Sequence, residues 1–591
     1  MTDPTARAPE RNAPPEPGHT LARNTTRPRR VDSSSLTDAD GGRLRIIPLG
    51  GLQEIGKNCM VVEFGSDIVV VDCGLAFPED DMPGIDIVLP DMTYLEENRG
   101  RVRGVILTHG HEDHMGSIPY LLRKMSVPIF GTGLALGLVE HKLAESGLRL
   151  PDGSRVVRPR DVVQLGALRV EFFRVNHSIP DACGVIIRTP VGTIVHTGDF
   201  KLDHTPIDGS VADFHKLARV GDEGVLLLLA DSTNAERPGF TGSESSVGPA
   251  LEAVIRKAPG RVFVATFASN VHRVQQVIDA ATQNGRKVAV VGRSMENVAR
   301  AAIELGYLHV PEGTVIELDD LDRYPADRLC ILTTGSQGEP LSALSRMAVG
   351  EHRKVEILPG DTVVFSANPI PGNEKAVTRT IDNLFKLGAD VVHSSRHGVH
   401  VSGHASQEEL KLMQSLVRPK FFVPVHGEYR MLVSHARLAQ SLGVPKENTF
   451  IAENGMVLEF TPDSGQIVGR VTAGLVLVDG LGVGDVGNIV LRDRKVLAED
   501  GVIVVAMSFS RETRRVVSGP DLISRGFVYV RESDSLMDGA KRRVRDALAK
   551  CEERQIHDWS GIKQAVRDAL GRYLYDRTHR RPMVLPVIQE V

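Results

Sequence analysis

Directly after the apolar run Val105-Ile106-Leu107 the chain reads Thr108-His109-Gly110-His111-Glu112-Asp113-His114. Three imidazoles and a carboxylate so close together are hard to read as packing, because polar groups clustered in a core without partners are costly. Alternate residues of an extended segment share one side, so His109 and His111 can converge on one ion. Asp113 and His114, where the chain turns into a helix, can face a second. The motif therefore calls for a strand, a sharp exit from it and a helix start, arranged around a pocket for cations.

Thiolates do not enter this pocket. The five cysteines, Cys59, Cys73, Cys183, Cys330 and Cys551, are dispersed with no Cys-x-x-Cys pair, which fits a reducing compartment and leaves histidine and carboxylate as the ligands. No apolar run approaches the roughly 18 residues of a membrane helix, and the polar N-terminus has no apolar core of a secretory signal. The expectation is a cytoplasmic protein with no membrane contact. A net charge of -5 and a pI near 6.5 give no general polyanion-binding character, so any nucleic-acid affinity must come from local basic patches or from metal ions in a cleft.

A chain of 591 residues exceeds one ordinary core, so two or three domains are expected. Residues 1–42, polar and proline-rich, read as a disordered arm; its arginines are either solvated or touch RNA. Order begins at Leu44, and strands are expected at Cys59 to Phe64, Ile68 to Val71, Val105 to Leu107, Val170 to Val175, Gly184 to Ile187 and Thr193 to Val195, a sheet-rich α/β sandwich. From about residue 244 the rhythm becomes alternating helix and strand: helix Val247 to Lys257, strand Arg261 to Thr266, helix Val271 to Asn284, strand Val288 to Val291. This predicts a doubly wound parallel insertion over 244–390.

Strand-like segments at Val391 to Val401 and Phe421 to Val425 suggest a return to the first domain over 391–465. A glycine-punctuated linker over 466–484 then leads to a small C-terminal α/β domain, 485–591. In that domain strands are expected at Gly501 to Met507 and Gly526 to Val530, with a charged helix from Leu536 to Arg554. Lys541, Arg542, Arg543 and Arg545 give the helix a basic start that is either solvated or an RNA contact.

The pattern His-x-His-x-Asp-His resembles the metal-binding signature of the metallo-β-lactamase superfamily. His177, after strand Val170 to Val175, and Asp199, after strand Thr193 to Val195, fall where that resemblance requires further ligands. Asp231, His404 in Ser402-Gly403-His404-Ala405-Ser406 and His426 in Pro424-Val425-His426-Gly427-Glu428 resemble the additional motifs of the β-CASP nucleases. Within these, four blocks resemble bacterial ribonuclease J: Pro48 to Asn58, Thr266 to Arg273, Gly335 to Pro340 and Asn368 to Glu374. The resemblance runs from about Leu44 to the C-terminus.

It implies an αββα metallo-β-lactamase sandwich with an inserted doubly wound β-CASP domain and a small C-terminal α/β domain. It also implies two divalent metal ions per subunit, zinc foremost, with manganese or magnesium as alternatives, since an imidazole-and-oxygen site suits all three. One ion falls to His109, His111 and His177, the other to Asp113, His114 and His426, with Asp199 shared. Asp72 orients ligands from behind. His404 contacts the scissile phosphate or protonates the leaving oxygen, with Asp231 orienting it.

The activity implied is hydrolysis of single-stranded RNA phosphodiesters by a hydroxide that the two metals activate, Asp113 counting among the catalytic residues. It comprises 5′-to-3′ exonuclease action favouring 5′-monophosphate ends and endonuclease action, in RNA maturation and decay. The terminal phosphate needs a small anion pocket, expected from Phe267, Ala268 and Ser269 together with His400, Val401, Ser402, Gly403 and His404; the alternative is that these loops only turn the chain. A homodimer or homotetramer and RNA-decay partner proteins are further implications. The acidic loop Glu79 to Asp91, with Gly84 and Asp86, joined by Asp479, either binds a structural calcium or is simply solvated. Two rival readings stay open: another hydrolase on the same fold, a thioesterase or lactamase, and an inactive scaffold of an RNA-decay assembly.

Overall fold

The computed structural model describes residues 43–79, 81–370, 372–393, 397–510, 512–513, 515–528, 534–556 and 558–591. The arm expected over 1–42 lies outside the described residues. In the N-terminal half the strands read as nearly continuous apolar runs, Ile68 to Val71 and Val225 to Ala230 among them, because both faces of each strand are covered. Residue parity sorts the side chains. Ile46, Met60, Val62, Val69 and Val71 of one sheet meet Phe172, Val185, Ile187, Leu227 and Phe421 of another. Their sequence neighbours Ile47, Val61, Val70, Phe173, Ile186 and Leu228 point outward under helices, against Leu95, Leu121, Val139, Leu217 and Leu410. With each such side chain contributing about 1.5–3 kcal/mol when buried, the two interfaces fix an αββα sandwich.

The first sheet has eight strands, in the order Gly465–Arg470, Met456–Phe460, Leu44–Gly50, Cys59–Phe64, Asp67–Val71, Val102–Ile106, Ile129–Gly131 and Arg155–Val156. The second has six, in the order Pro419–Val425, Val225–Asp231, Thr193–His196, Cys183–Arg188, Leu168–Arg174 and Val162–Leu165. Strand Asp67–Val71 runs parallel to Val102–Ile106, and Thr193–His196 runs parallel to Val225–Asp231 and Pro419–Val425. The C-terminal ends of these strands therefore gather at one rim of the sandwich, where the chain must turn and can expose side chains.

Between Asp231 and Pro419 the chain builds a second body on a five-stranded, all-parallel sheet, ordered Lys287–Val291, Leu329–Thr333, Val262–Ala265, Thr362–Phe365 and Asp390–Val392. Helices Val247–Lys257 and Val271–Gln283 cover one face; Ala343–Ala348 and Glu374–Lys386 cover the other. A seam of small residues seats it on the sandwich. Helix Gly133–Glu145 lies against helix Arg293–Glu304, and a Cβ on Gly133 or Gly137 would stand 2.8 Å from the Tyr307 hydroxyl or 2.4 Å from Leu305. Across the seam Tyr307 donates to the partly buried Asp181 carboxylate at 2.5 Å, which also accepts from Thr132 and the Leu134 amide.

Three local expectations are corrected. Among the described residues of 391–401 only Val391 and Val392 lie in a strand, Asp390–Val392, and that strand belongs to the inserted sheet. The stretch 466–484 is not a free linker: Gly465–Arg470 pairs with Met456–Phe460, and Leu475–Asp479 pairs with Ile87–Pro90. Gly526 to Val530 is no strand where it is described; the strand is Arg515–Arg525, and Gly526, at φ 69°, turns the chain away. The last unit is a three-stranded sheet, Arg515–Arg525, Val502–Ser510 and Met583–Glu590, whose buried face packs on helices Asp534–Glu553 and Trp559–Thr578. Arg542, Arg543 and Arg545 are exposed on that domain's first long helix. All five cysteines are buried and free, and among the described residues no helix is long and apolar enough to cross a membrane.

Candidate metal centre

The rim of the sandwich collects the residues that the motif singled out. Strand Val102–Ile106 ends just before Thr108, and His109 and His111 follow in the loop before helix Glu112–Met115, which carries Asp113 and His114. His177 follows Leu168–Arg174, Asp199 follows Thr193–His196, Asp231 ends Val225–Asp231, and His426 follows Pro419–Val425. Asp72 at φ 63° and His426 at φ 53° hold a left-handed backbone that ordinary side chains disfavour, at a cost of about 1 kcal/mol or more each, as is common where a turn must aim a functional group.

The nitrogen and oxygen atoms converge in overlapping groups, each with all ligand atoms within 4.8 Å of one another. In the first, the His111 Nδ1 stands 3.0 Å from His109 Nε2 and 3.2 Å from His177 Nε2, and Asp199 Oδ2 lies 3.8 and 3.7 Å from His109 and His177. In the second, Asp199 Oδ2 lies 3.2 Å from His114 Nε2 and 3.7 Å from His426 Nε2, while Asp113 Oδ2 lies 3.5 and 3.2 Å from the same two nitrogens. Asp199 is common to both. A third grouping joins Asp199 and His426 to Asp231 and His404, but His404 Nδ1 is already committed to Asp231 Oδ2 at 2.8 Å.

Around this centre the rings are aimed by partners on their far sides. Asp72 accepts from His114 Nδ1 at 2.8 Å and from the Thr108 amide at 2.8 Å, so it orients the loop and one ligand from behind. His177 Nδ1 bonds the Gly403 carbonyl at 2.8 Å, and a Cβ on Gly403 would come within 2.7 Å of that imidazole. Thr233 Oγ1 links His426 Nδ1 and Asp231 Oδ1, both at 2.7 Å. Asn234 and Thr241 hold the His404 carbonyl at 2.9 and 2.7 Å, and Asn58 touches His114 Nε2 at 3.1 Å. Sequence reasoning missed Thr233, Asn234, Thr241 and Asn58 as site residues. Thr233 and Asn234 directly follow Asp231, and that adjacency was the available signal.

Electrostatics fit a pair of cations. Burial, reinforced by neighbouring imidazoles, holds His109 and His177 well below the ordinary imidazole value, and burial lowers His111 to about 4, so these rings are neutral donors of electron pairs. Burial opposes charge on His114 and His426 as well, yet Asp199 and the neighbouring carboxylates outweigh it and raise both. Asp113 and Asp199 stay ionised against burial because His114 faces them. A buried pocket with this many carboxylates needs compensating positive charge, which protons supply here and divalent ions would supply in their place. Metal binding must therefore release protons, and metal affinity must fall as pH is lowered. Titration calorimetry in two buffers of different ionisation heat should show net proton release; an affinity independent of pH would contradict the assignment.

The two loops expected to bind a terminal phosphate are both partly accessible, Phe267 to Ser269 ahead of helix Val271–Gln283 and His400 to His404 ahead of helix Gln407–Val417. Gly403 turns out to support His177 through its carbonyl. The expected calcium residues do come together, but Asp479 pairs with Arg494, which also bonds the Pro83 carbonyl and lies against Gly84, and Asp86 accepts from the Gly480 amide.

Comparison with known proteins agrees with this architecture. Residues 53–264 match the metallo-beta-lactamase superfamily, 259–384 the beta-CASP domain of ribonuclease J, 389–452 the RNA specificity domain of Zn-dependent metallo-hydrolases, and 489–591 the ribonuclease J C-terminal domain. Fold, site and matched domains together define a metal-dependent ribonuclease of the metallo-β-lactamase fold with a β-CASP insertion. The chain is 47% identical to ribonuclease J2 of Bacillus subtilis over 93% of its own length and 99% of that protein. It is 48% identical to ribonuclease J of Thermus thermophilus over 93% and 95%. The chain belongs to the ribonuclease J family. A crystal structure of an Enterococcus faecalis protein of unknown function shares the fold, with a TM-score of 0.50 and 18% identity over 71% of this chain and all of that one.

Proposed function

We propose that this ribonuclease hydrolyses single-stranded RNA at a two-ion centre, processively from 5′-monophosphate ends in the 5′-to-3′ direction and also at internal sites. His109, His111, His177 and Asp199 hold one ion, and Asp113, His114, His426 and Asp199 the other. When bound, such a pair supplies activated water and neutralises charge during in-line displacement at phosphorus. The observation that carries the reading is the sharing of Asp199 between two ligand groups, with the His404–Asp231 pair directly beside them.

The chain's own groups do the rest. Asp231 keeps His404 Nδ1 engaged and leaves the opposite nitrogen for substrate, and His404 retains 20% and Asp113 30% of side-chain exposure. From there His404 donates a proton to the departing 3′-oxygen or a hydrogen bond to the scissile phosphate, and the product carries a 5′-phosphate. The loops Phe267 to Ser269 and His400 to His404 take the terminal monophosphate. Zinc is the foremost ion, with manganese or magnesium as alternatives. The C-terminal domain supports a homodimer or homotetramer, and the protein acts in the cytoplasm in RNA maturation and decay, alongside partner proteins of that process.

A time course on 3′-labelled single-stranded RNA bearing 5′-monophosphate, 5′-triphosphate or 5′-hydroxyl ends, repeated with each metal, tests the reading. The expected result is progressive shortening from the 5′ end, fastest for the monophosphate. Equal rates on all three ends would remove the monophosphate pocket. Absence of cleavage with every metal would overturn the proposed activity.

A further inference from the structure

Arg273 is fully buried, with no side-chain exposure, and its guanidinium joins three parts of the molecule. Nε and Nη2 bond Glu244 Oε1 at 2.9 and 2.7 Å, at the start of the inserted body. Nη1 bonds the Ser366 carbonyl at 3.0 Å and the Ser366 hydroxyl at 2.5 Å, at the end of a central parallel strand. The same nitrogen bonds the Val399 carbonyl at 3.0 Å and approaches His400 Nδ1 at 3.4 Å, on the segment that returns to the metal centre. Glu244 extends the tie: its amide bonds Asp203 Oδ2 at 2.9 Å, four residues beyond the shared ligand Asp199. Arg273 also sits in the first turn of helix Val271–Gln283, with its amide bonded to the Asn270 side chain that closes loop Phe267 to Ser269.

The loop His400 to His404 is thus fastened to this guanidinium and the loop Phe267 to Ser269 to the same residue's backbone amide, while through Glu244 the guanidinium is also fastened to the segment carrying Asp199. We propose that Arg273, paired with Glu244, is a positioning residue that fixes the spacing between the 5′-phosphate pocket and the metal centre, and so sets 5′-monophosphate preference and exonucleolytic register. This inference rests on the pocket reading given above. With its side chain buried and engaged along both edges, Arg273 acts on substrate only through the loops it holds. A lysine at this position keeps the charge but cannot reach Glu244 and Val399 together, because it lacks the planar fork.

The test compares Arg273→Lys and Glu244→Gln with the full-length parent, loaded with Mn2+, on 5′-monophosphate and 5′-hydroxyl single-stranded RNA and on a circular RNA that has no end. The expected result is a fall in 5′-monophosphate preference of about tenfold or more, as losing a charged hydrogen bond implies, expressed in KM, together with irregular product lengths. Cleavage of the circular RNA and bound metal should stay at parental values. If Arg273→Lys unfolds, Glu244→Gln, which conserves shape and acceptor, carries the test alone.

Unchanged end preference in a folded variant overturns the inference, as does an equal loss on linear and circular RNA. Ser269→Ala and His400→Ala separate the two claims. If those variants lose the preference while the Arg273 and Glu244 variants keep it, only the positioning role falls. If none of the four changes it, the pocket reading falls and takes this inference with it.

Discussion

Replacing His111 by alanine should reduce RNA cleavage by about a thousandfold or more while the protein stays folded, because the lost site supplies several kcal/mol of charge stabilisation in the transition state. His111 lies at the crossing point of the first ligand group, 3.0 Å from His109 and 3.2 Å from His177. Its side chain forms no capping hydrogen bond to helix Glu112–Met115, so the local backbone does not depend on it. Metal analysis should show one ion lost or weakly held, with an unchanged circular dichroism spectrum. A variant that cuts RNA at the parental rate would remove His111 from the ligand set.

His404→Ala should behave differently. Both ions should remain, since neither of the two groups that share Asp199 as a ligand to His109 or His114 requires His404. The rate constant should fall by about 10²–10⁴, the range for removing a positioned general acid, with a smaller change in KM. Asp231→Asn should move activity in the same direction, because Asp231 aims His404 at 2.8 Å and also faces His426 at 3.4 Å. Loss of bound metal in His404→Ala would place His404 among the ligands and refute the role given to it.

The core of the site was legible because its chemistry is concentrated: packing alone does not account for a histidine cluster at a strand end. The distant members, His404 and His426, were legible through resemblance to β-CASP motifs and not through spacing. What stayed hidden depends on non-local pairing. Leu475–Asp479 looks like the approach to a flexible connector because Gly480, Gly482 and Gly484 follow it, yet its hydrogen-bond partner is Ile87–Pro90, nearly four hundred residues earlier. Val391, Val392, Val399 and Val401 suggest one strand, but among the described residues only the first two are paired, with Val363 and Val364. The strand Arg515–Arg525 was not expected at all; it runs through Gly519-Pro520, where a register shift against Val502–Ser510 absorbs the irregularity. Thr233 and Asn234 act by hydrogen bonds that become visible only once the return segment is folded against them.

The sandwich closes with segments made late. Strand Pro419–Val425 edges one sheet, Met456–Phe460 and Gly465–Arg470 edge the other, and His404 and His426 arrive with them. A nascent polypeptide that has emerged only through the inserted body carries the histidine cluster but no finished pocket. On the assignments above, such an unfinished enzyme still lacks His426 from one ion site and His404 beside it, so the active centre is completed only as the return segment is made.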